Sequence, residues 1–224
     1  MITFSDFVAL AGEREPTLRV HRSASAFLSL SGFSALIVTV ASPQLPGHRP
    51  LFSNGYPQEC IEHVCNSYVL DDPHYRRIKT ITHPIGWHDG FESGFEARTW
   101  LLPAGYRNGS SMSLQDDAGR EIGSIHTNTQ REILSDRQLE AFDSLKEFLT
   151  PTLEAQIEID RLGLTGRETE VIRYIVGGAS NPEIAEALYV TRRTIATHIE
   201  NILRKLDARS RVEIAVTALR LGLV

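Results

Sequence analysis

The sequence is poor in the residues that build disulfide-linked or redox-active domains. It contains two cysteines, Cys60 and Cys65, in 224 residues. Their spacing matches neither a C-x-x-C zinc or redox motif nor the Cys framework of a disulfide-stabilised secreted domain. The sequence therefore predicts two reduced, buried thiols, which are typical of a cytoplasmic protein.

Long apolar runs and a secretory leader are also missing. No segment approaches the roughly 20 consecutive apolar residues that span a bilayer. The first fifteen residues, MITFSDFVALAGERE, lack the basic start and unbroken apolar run of a signal peptide. We therefore expect a soluble protein of the cytoplasm without a membrane partner. Its length leaves room for two modest domains or one large one.

The motifs of common enzyme classes are absent too. The sequence has no G-x-S-x-G nucleophile elbow, no phosphate-binding loop and no dinucleotide fingerprint. His63, His74, His83 and His88 lack the H-x-x-x-H spacing that places two metal ligands on one helix face. We therefore expect no enzyme, no metal site and no cofactor, and we interpret these histidines as surface or hydrogen-bonded core residues.

Two short helices joined by a tight turn are predicted between residues 180 and 206. The first begins with a reciprocal Ser180/Glu183 capping box, and the second begins at the N-cap Thr191. Apolar residues recur along the second helix at helical spacing, which predicts one buried stripe. The stripe comprises Ile195, Ile199, Ile202 and Leu206.

Helices on both sides of this pair are needed, because two helices of this length cannot bury their apolar faces against each other alone. The segment LTGRETEVIRYIVGG supplies one and opens with a Thr165/Glu168 capping box. The segment VEIAVTALRLG supplies the other and follows a Ser210/Glu213 box. Residues 161–224 are therefore predicted to form an all-α unit of four helices.

This region resembles the LuxR-type (GerE-like) DNA-binding domain over its whole length. The shared motifs are L-T-x-R-E, G-x-S-N-x-E-I-A, T-I-x-x-H, N-I-L-x-K-L and the final R-x-E-I, in the family's order. The resemblance implies a helix-turn-helix domain at residues 161–224 that binds a double-stranded DNA operator through the second helix of the motif. The alternative is a four-helix structural or interaction module.

The resemblance also implies which side chains meet DNA. The family's base-reading positions correspond to Ala196, Thr197 and Glu200. The first two can contact a thymine methyl group, and Glu200 can accept a hydrogen bond from a cytosine amine. The basic residues are better placed as phosphate contacts. The implied DNA-binding set is Thr191, Arg192, Arg193, Thr194, Ala196, Thr197, Glu200, Lys205, Arg209 and Arg211.

Charge is divided unevenly along the chain. Residues 161–224 carry a net charge of +3, whereas residues 1–160 carry −8. A basic module on an acidic body is expected of a regulator whose small domain alone meets phosphate. Because the basic excess is small, we expect a monomer to bind DNA weakly, which predicts a homodimer.

The first 160 residues combine helical and strand patterns. Helices are predicted at residues 2–11, 18–30, 57–72, 91–102 and 135–159, and strands at 35–40, 51–53 and in GSSMSL and EIGSIHTN around the turn QDDAGR. Helices that flank an antiparallel sheet form an α/β/α sandwich. The predicted fold is therefore α+β, with a sandwich sensor domain at 1–160 and the helix-turn-helix domain at 161–224.

The sensor region is similar, more weakly, to the LuxR-family autoinducer-binding domain. The similarity rests on G-F-S-A-L-I-V, Y-V-L-D-D-P, P-I-G-W and G-R-E-I-G, in the family's order. That family buries an acyl-homoserine lactone against a Trp, a Tyr and an Asp. The resemblance implies a small-molecule signal and a ligand-binding set of Tyr56, Cys60, Asp72, Trp87, Ser111 and His126.

The predicted pocket departs from the family pattern at two positions. Counted from Tyr56–Pro57, the family's Trp and Tyr positions are Cys60 and Val64 here. Counted back from Asp72–Pro73, they are Glu59 and His63. Neither count restores an indole or a phenol, so the signal is expected to be an acyl-homoserine-lactone-like molecule or another compound. Asp72 can alternatively be a turn residue, and Trp87 a core aromatic.

These patterns predict a ligand-responsive LuxR-type transcriptional regulator that binds DNA as a dimer, with a role in quorum sensing. The alternative is a regulator whose N-terminal domain is a ligand-independent dimerisation body. A two-component response regulator would need a parallel α/β domain with aspartates at strand ends, and residues 1–60 do not show that alternation.

Overall fold

The computed structural model describes residues 15–81, 84–86 and 98–224. The chain divides into two compact units, Met1–Ile157 and Glu158–Val224. The helix predicted at residues 2–11 and most of the one predicted at 91–102 lie outside the described residues. Among the helices of the described ranges, none is long and apolar enough to cross a membrane.

An antiparallel sheet forms the centre of the first unit, with its five described strands in the order β2-β1-β5-β4-β3. The strands are β1 (Ala35–Ala41), β2 (His48–Asn54), β3 (Ile85–Gly86), β4 (Asn108–Gln115) and β5 (Glu121–Thr129). The apolar run of β1 is buried along nearly its whole length, which explains why its sequence does not alternate. The strands predicted from the sequence are confirmed, and an antiparallel sheet does not fit a parallel receiver domain.

Helices cover both faces of the sheet. In the described part of this unit they are α1 (Pro16–Ser31), α2 (Gln58–His63), α3 (Val69–Asp71), α4 (Pro73–Ile78), α5 (Arg98–Leu101) and α6 (Asp136–Arg161). A π-helical turn at Val64–Tyr68, which the sequence did not predict, joins α2 to α3. The predicted α/β/α sandwich and the α+β class are confirmed.

The larger apolar core lies between the sheet and helices α1 and α6. Leu36, Val38 and Val40 project from β1 into this core, where Phe27 of α1 and Phe142 of α6 are fully buried. Each such side chain contributes roughly 1.5–3 kcal/mol by leaving water. This layer therefore fixes the sheet, and the opposite face is left for α2 to α5.

The opposite face carries two smaller apolar clusters. One, which we call the Cys60 cluster, comprises Ala35, Ile37, Cys60, Val64, Leu101 and Tyr106, with Tyr56, Ile61 and Trp100 packed against it. The other comprises Tyr68, Val69, Tyr75 and Ile78. Alternation along β1 explains the division, because Ala35 and Ile37 point away from the face that Leu36 and Val38 share.

The second unit is a bundle of four helices after the end of α6. They are α7 (Gly166–Val176), α8 (Asn181–Ala187), α9 (Arg192–Lys205) and α10 (Arg211–Leu221), as predicted. The Thr165/Glu168 and Ser180/Glu183 capping boxes are confirmed. The third box is incomplete, because the Glu213 carboxylate accepts from the backbone N–H of Arg209 rather than of Ser210.

Candidate functional site

The turn between α8 and α9 sets the direction of the second helix of the motif. Tyr189 adopts a φ of 55° and is 96% exposed. After this left-handed residue the chain turns sharply, and the side chain of Thr191 accepts a hydrogen bond from the backbone N–H of Thr194 at 3.1 Å. This N-cap starts α9 where the sequence predicted it.

The predicted DNA-binding residues of α9 lie on its solvent side. Ile195 and Ile202 are fully buried and Ile199 is half-buried, so the apolar stripe is confirmed. The side chains that remain lie outside this stripe. The exposed residues of this set are Thr191, Arg192, Arg193, Thr197 and Glu200, and the half-buried ones are Thr194 and Ala196.

Two of the predicted phosphate contacts also have partners inside the bundle. The Lys205 ammonium donates to the Gly163 carbonyl and lies 2.7 Å from the Glu168 carboxylate. The Arg211 guanidinium donates to Asn181 Oδ1 at 3.0 Å and to the Ala179 carbonyl. Lys205 and Arg211 therefore join helices of the bundle, whereas Arg209 is exposed.

Arg167 has a role that the sequence reasoning missed. Its Nη2 donates to the Leu188 carbonyl at 2.6 Å, and its Nη1 donates to Glu170 at 2.8 Å. The first bond satisfies a carbonyl at the C-terminal end of α8, where helices leave acceptors unpaired. The arginine of the L-T-x-R-E motif therefore ties α7 to the helix-turn-helix turn.

In the first unit, Ser111 and His126 lie opposite each other on β4 and β5. His126 Nδ1 is 3.0 Å from Ser111 Oγ, and its Nε2 is 2.8 Å from Ser124 Oγ. Burial lowers the pKa of His126 to about 3, with smaller effects from His48 and His74. The imidazole is therefore neutral at physiological pH, and it bridges two hydroxyl groups.

The polar row continues from β5 to β1 and β2. Ser124 Oγ is 2.7 Å from Thr39 Oγ1, which is also 2.7 Å from His48 Nδ1. The Glu121 carboxylate accepts from Tyr75 and Ser113 and pairs with Lys79 at 2.7 Å. Burial raises the pKa of Glu121, but contacts with His48, Lys79 and Tyr75 outweigh that effect and hold it at about 2.

Aromatic rings cover His126. The ring centroids of Tyr68 and Tyr75 lie 5.6 and 6.4 Å from the His126 ring, and both tyrosines are buried. The Tyr68 hydroxyl is 2.7 Å from His74 Nδ1. Ser111 and His126, two predicted ligand residues, are thus brought together, and their visible partners belong to the chain itself.

Tyr56 and Cys60 lie on the same face of the sheet, within the Cys60 cluster. Cys60 is fully buried, and burial raises the pKa of its thiol to about 12. The thiol therefore serves as a small apolar group. Cys60 and Val64 are buried whereas Glu59 is exposed, so the count from Tyr56–Pro57 gives the positions that face the interior.

Asp72 takes the turn position that was the alternative to a ligand contact. Its Oδ1 accepts from the backbone N–H of His74 at 2.7 Å and caps α4, which begins at Pro73. The side chain is half-buried. Trp87, the other residue that matches the family pattern, lies outside the described residues. In the described ranges no group of three His, Cys, Asp or Glu side chains is arranged to hold a metal ion.

Comparison with known proteins gives matches of two lengths. A family model described as "Bacterial regulatory proteins, luxR family" matches residues 162–218. The Escherichia coli "Uncharacterized response regulatory protein YgeK" is 48% identical over 59 residues, which are 26% of this chain and 40% of that protein. This chain therefore spans less than half the length of that relative.

Longer matches extend into the first unit. The "Transcriptional activator protein AnoR" of Acinetobacter nosocomialis is 26% identical over 211 residues, which cover 86% of this chain and 87% of that protein. The crystal structure of "N-Acylhomoserine Lactone Dependent LuxR Family" factor CepR2 from Burkholderia cenocepacia has a TM-score of 0.51 at 20% identity, covering 69% of this chain and 92% of that chain. The second likeness shows a shared fold.

The relatives are regulatory proteins, which confirms the prediction that the chain is not an enzyme. The segment that the family model matches contains the motifs quoted above for residues 161–224. On these grounds residues 162–218 form a LuxR-family regulatory domain, as the sequence predicted.

Proposed function

We propose that this LuxR-type regulator binds duplex DNA as a homodimer through α9, within a DNA-binding domain at residues 161–224. The observation that carries the proposal is the division of α9 into a buried apolar stripe and a solvent side with two adjacent arginines, Arg192 and Arg193. These arginines lie in the first turn, where the helix dipole adds positive potential. They are placed to contact phosphate.

Base contacts come from the next turn of α9. The hydroxyl of Thr197 donates to the Arg193 carbonyl at 3.2 Å, which commits its hydrogen and leaves the methyl group for contact. Thr197 and the half-buried Ala196 therefore suit a thymine methyl group, and the exposed carboxylate of Glu200 suits a cytosine amine. This set favours a site with A·T and C·G pairs at adjacent positions.

Residues 1–160 are proposed to hold a small-molecule signal between the sheet and helices α2 to α5. The support is the convergence of Tyr56, Cys60, Ser111 and His126 on one face of the sheet, with a fold shared with a factor whose name states dependence on N-acylhomoserine lactone. A molecule bound there would act through differential affinity for two arrangements of the protein.

A ligand-independent dimerisation body is the second candidate, and one observation favours it. Ser111, His126 and Tyr68 already have hydrogen-bond partners within the chain. Because buried polar groups need partners, these three groups do not require a ligand to satisfy them. The N-terminal unit can therefore be stable when empty.

The test begins with selection of a duplex from a random pool by the full-length protein. Reversing the α9 charges with Arg192→Glu and Arg193→Glu should abolish detectable binding in fluorescence anisotropy. The control is Arg173→Glu, the same charge reversal at an exposed residue of α7, which should leave affinity within a few-fold. Equal loss in both variants would mean that net charge, and not the α9 face, decides binding.

Two measurements on the same full-length protein distinguish the two proposed roles of the N-terminal unit. Mass spectrometry of co-purifying small molecules is combined with thermal melts in N-octanoyl-homoserine lactone. A rise in melting temperature together with a change in DNA affinity supports the signal-binding role. A clean spectrum, an unshifted melt and unchanged DNA affinity support the dimerisation body.

A further inference from the structure

The side-chain amide of Asn128 on β5 is buried, and its hydrogen-bonding capacity is unused. It is 1% exposed, and neither Oδ1 nor Nδ2 has a hydrogen-bond partner among the described residues. Its side chain lies on the face that His126 shares, because the two are separated by one residue of a regular strand. A buried, unpaired amide is costly and rare in a native protein.

The residues paired with Asn128 on the neighbouring strands have a small side chain or none. Across the sheet it is paired with Ala35 on β1 and with Gly109 on β4. These are the two smallest residue types, so the amide is flanked on the sheet face by a methyl group and by a position without a side chain, and we call this place the niche. Ala35 also belongs to the Cys60 cluster, which places apolar side chains next to the niche.

The phenol of Tyr56 stands beside the same amide. Burial raises the pKa of Tyr56 well above its usual value, and the Asn128 side chain lies close enough to the phenol to oppose that rise, although the two groups do not meet hydrogen-bond geometry. Tyr56 and Trp100 are the half-buried aromatic members of the Cys60 cluster. The niche is thus apolar around one unsatisfied amide, with Tyr56 at its edge.

We propose that Asn128 is the polar anchor of the small-molecule site, and that its ligand presents a primary amide or a lactam. This inference rests on the proposed function, in which residues 1–160 bind a small molecule. An asparagine amide offers an acceptor and a donor on one edge. A primary amide or a lactam offers the complementary pair on one edge, whereas a trans secondary amide has its N–H and C=O on opposite sides.

The apolar remainder of the ligand lies on the Cys60 cluster. Ile37, Val64 and Leu101 offer no hydrogen-bonding side chain, and the Cys60 thiol stays protonated. The site therefore selects an amphiphile with a compact amide head and an aliphatic tail. A standard acyl-homoserine lactone does not match it, because its amide is trans.

The test compares two probes of one skeleton, 6-hexylpiperidin-2-one and the lactone in which oxygen replaces its N–H. Calorimetric titration of the full-length wild type should show the lactam binding about tenfold more tightly, since one hydrogen bond to an otherwise unpaired buried group is lost with the lactone. In Asn128→Leu the tenfold preference should vanish, because both probes lose the hydrogen bond that their carbonyl accepts and only the lactam also loses a bond that it donates.

The empty protein gives a readout that does not depend on any probe. Asn128→Leu should raise the melting temperature by a few degrees, because an unpaired polar group has been removed. The matched variant is Asn108→Leu on β4. Asn108 Nδ2 donates to the Glu132 carbonyl and its Oδ1 accepts from Gly109 N–H, so this change should lower the melting temperature.

The outcomes separate the inference from the proposed function. Equal binding of both probes to wild type and to Asn128→Leu would overturn the anchor and leave small-molecule binding in place. Binding of neither probe, or a lower melting temperature for empty Asn128→Leu, would also overturn the anchor. In that event, two experiments decide whether residues 1–160 bind a small molecule at all. They are the thermal melts of the protein with N-octanoyl-homoserine lactone and the mass spectrometry of co-purifying molecules.

Discussion

The ammonium of Lys205 lies 2.7 Å from the carboxylate of Glu168, so the end of α9 is joined to the first turn of α7. Glu168 is almost fully buried and also accepts from the backbone N–H of Thr165 at 2.7 Å. Burial raises its pKa, but the bonds from Lys205 and Thr165 outweigh this and hold the pKa below its usual value. A cation predicted to meet DNA thus holds the bundle together.

Replacing Lys205 should therefore weaken folding rather than phosphate binding. In Lys205→Met the Glu168 carboxylate loses its cation, and we expect a loss of roughly 1–3 kcal/mol in the free energy of unfolding. The expected slope of log affinity for DNA against log salt stays that of the wild type. Urea unfolding of the second unit and anisotropy titrations at several salt concentrations measure the two effects.

Arg193→Ala is the matched variant, because it removes the same charge from the exposed end of the same helix. The unfolding midpoint should not move, and the salt slope should fall by about one unit if one phosphate contact is lost. If the salt slope is unchanged in Arg193→Ala and reduced in Lys205→Met, then Lys205 contacts phosphate and Arg193 does not.

The second unit was predictable because its signals are local. Capping boxes and apolar spacing, such as Thr165 with Glu168, lie within one or two helical turns and fix where each helix begins. The partner of Lys205 lies 37 residues away, and only the packed bundle shows that pairing. The helices and the exposed side of α9 were therefore predicted correctly, whereas the contacts of Lys205 and Arg211 inside the bundle were not predicted.

The interior of the first unit was less predictable, since strand register decides it. Alternation in EIGSIHTN predicted a strand, but not that Asn128 would lie between Ala35 and Gly109. Long-range pairing of β5 with β1 and β4 supplies that information. The motif Asp-Pro was likewise compatible with two roles for Asp72, and only the hydrogen bond from His74 shows the cap.

Helix α10 should carry a dimer contact. Val212, Val216 and Leu219 follow one another at helical spacing and are 71%, 59% and 43% exposed. Burying such a stripe against a second copy removes apolar surface from water and doubles the phosphate contacts on a two-fold operator. Val216→Glu should convert dimers to monomers in sedimentation at micromolar concentration and weaken DNA binding.

Leu45→Glu is the control for that variant, since Leu45 is 72% exposed in the loop between β1 and β2. The same change of an apolar side chain to a carboxylate should leave the sedimentation coefficient unaltered there. A wild type that sediments only as a monomer, with and without DNA, would end the dimer proposal.

Asp72 should act as a helix cap in the empty protein. Asp72→Ala removes the acceptor for the His74 N–H and should lower the free energy of unfolding by about 1 kcal/mol, whereas Asp72→Asn keeps a capping oxygen and should change it little. Thermal and urea unfolding measure both. If Asp72→Asn lowers affinity for N-octanoyl-homoserine lactone tenfold at unchanged stability, Asp72 is a ligand contact after all.

The histidines of the first unit should make its stability fall in mild acid. Burial lowers the pKa of His126 to about 3 and that of His74 to about 4, below the usual 6.5 of the unfolded chain. The unfolded state therefore takes up protons first, so the stability that neutral imidazoles provide is complete above pH 6.5 and is lost as the pH falls toward these values. Glu121 stays ionised above about pH 2 and does not contribute between pH 7 and 5.

His126→Gln tests this dependence directly. The buried His126 should account for roughly 2 kcal/mol of the stability lost between pH 7 and pH 5, since the unfolded imidazole is protonated over most of that range. Urea unfolding of the full-length protein at both pH values, followed in the transition of the first unit, gives the loss for wild type and variant. The variant should lose about 2 kcal/mol less than the wild type, even if its stability at pH 7 is lower because the bridge between Ser111 and Ser124 is broken. An equal loss in both proteins would show that His126 is protonated in the folded state at pH 5, which would contradict its burial as the dominant influence on its pKa.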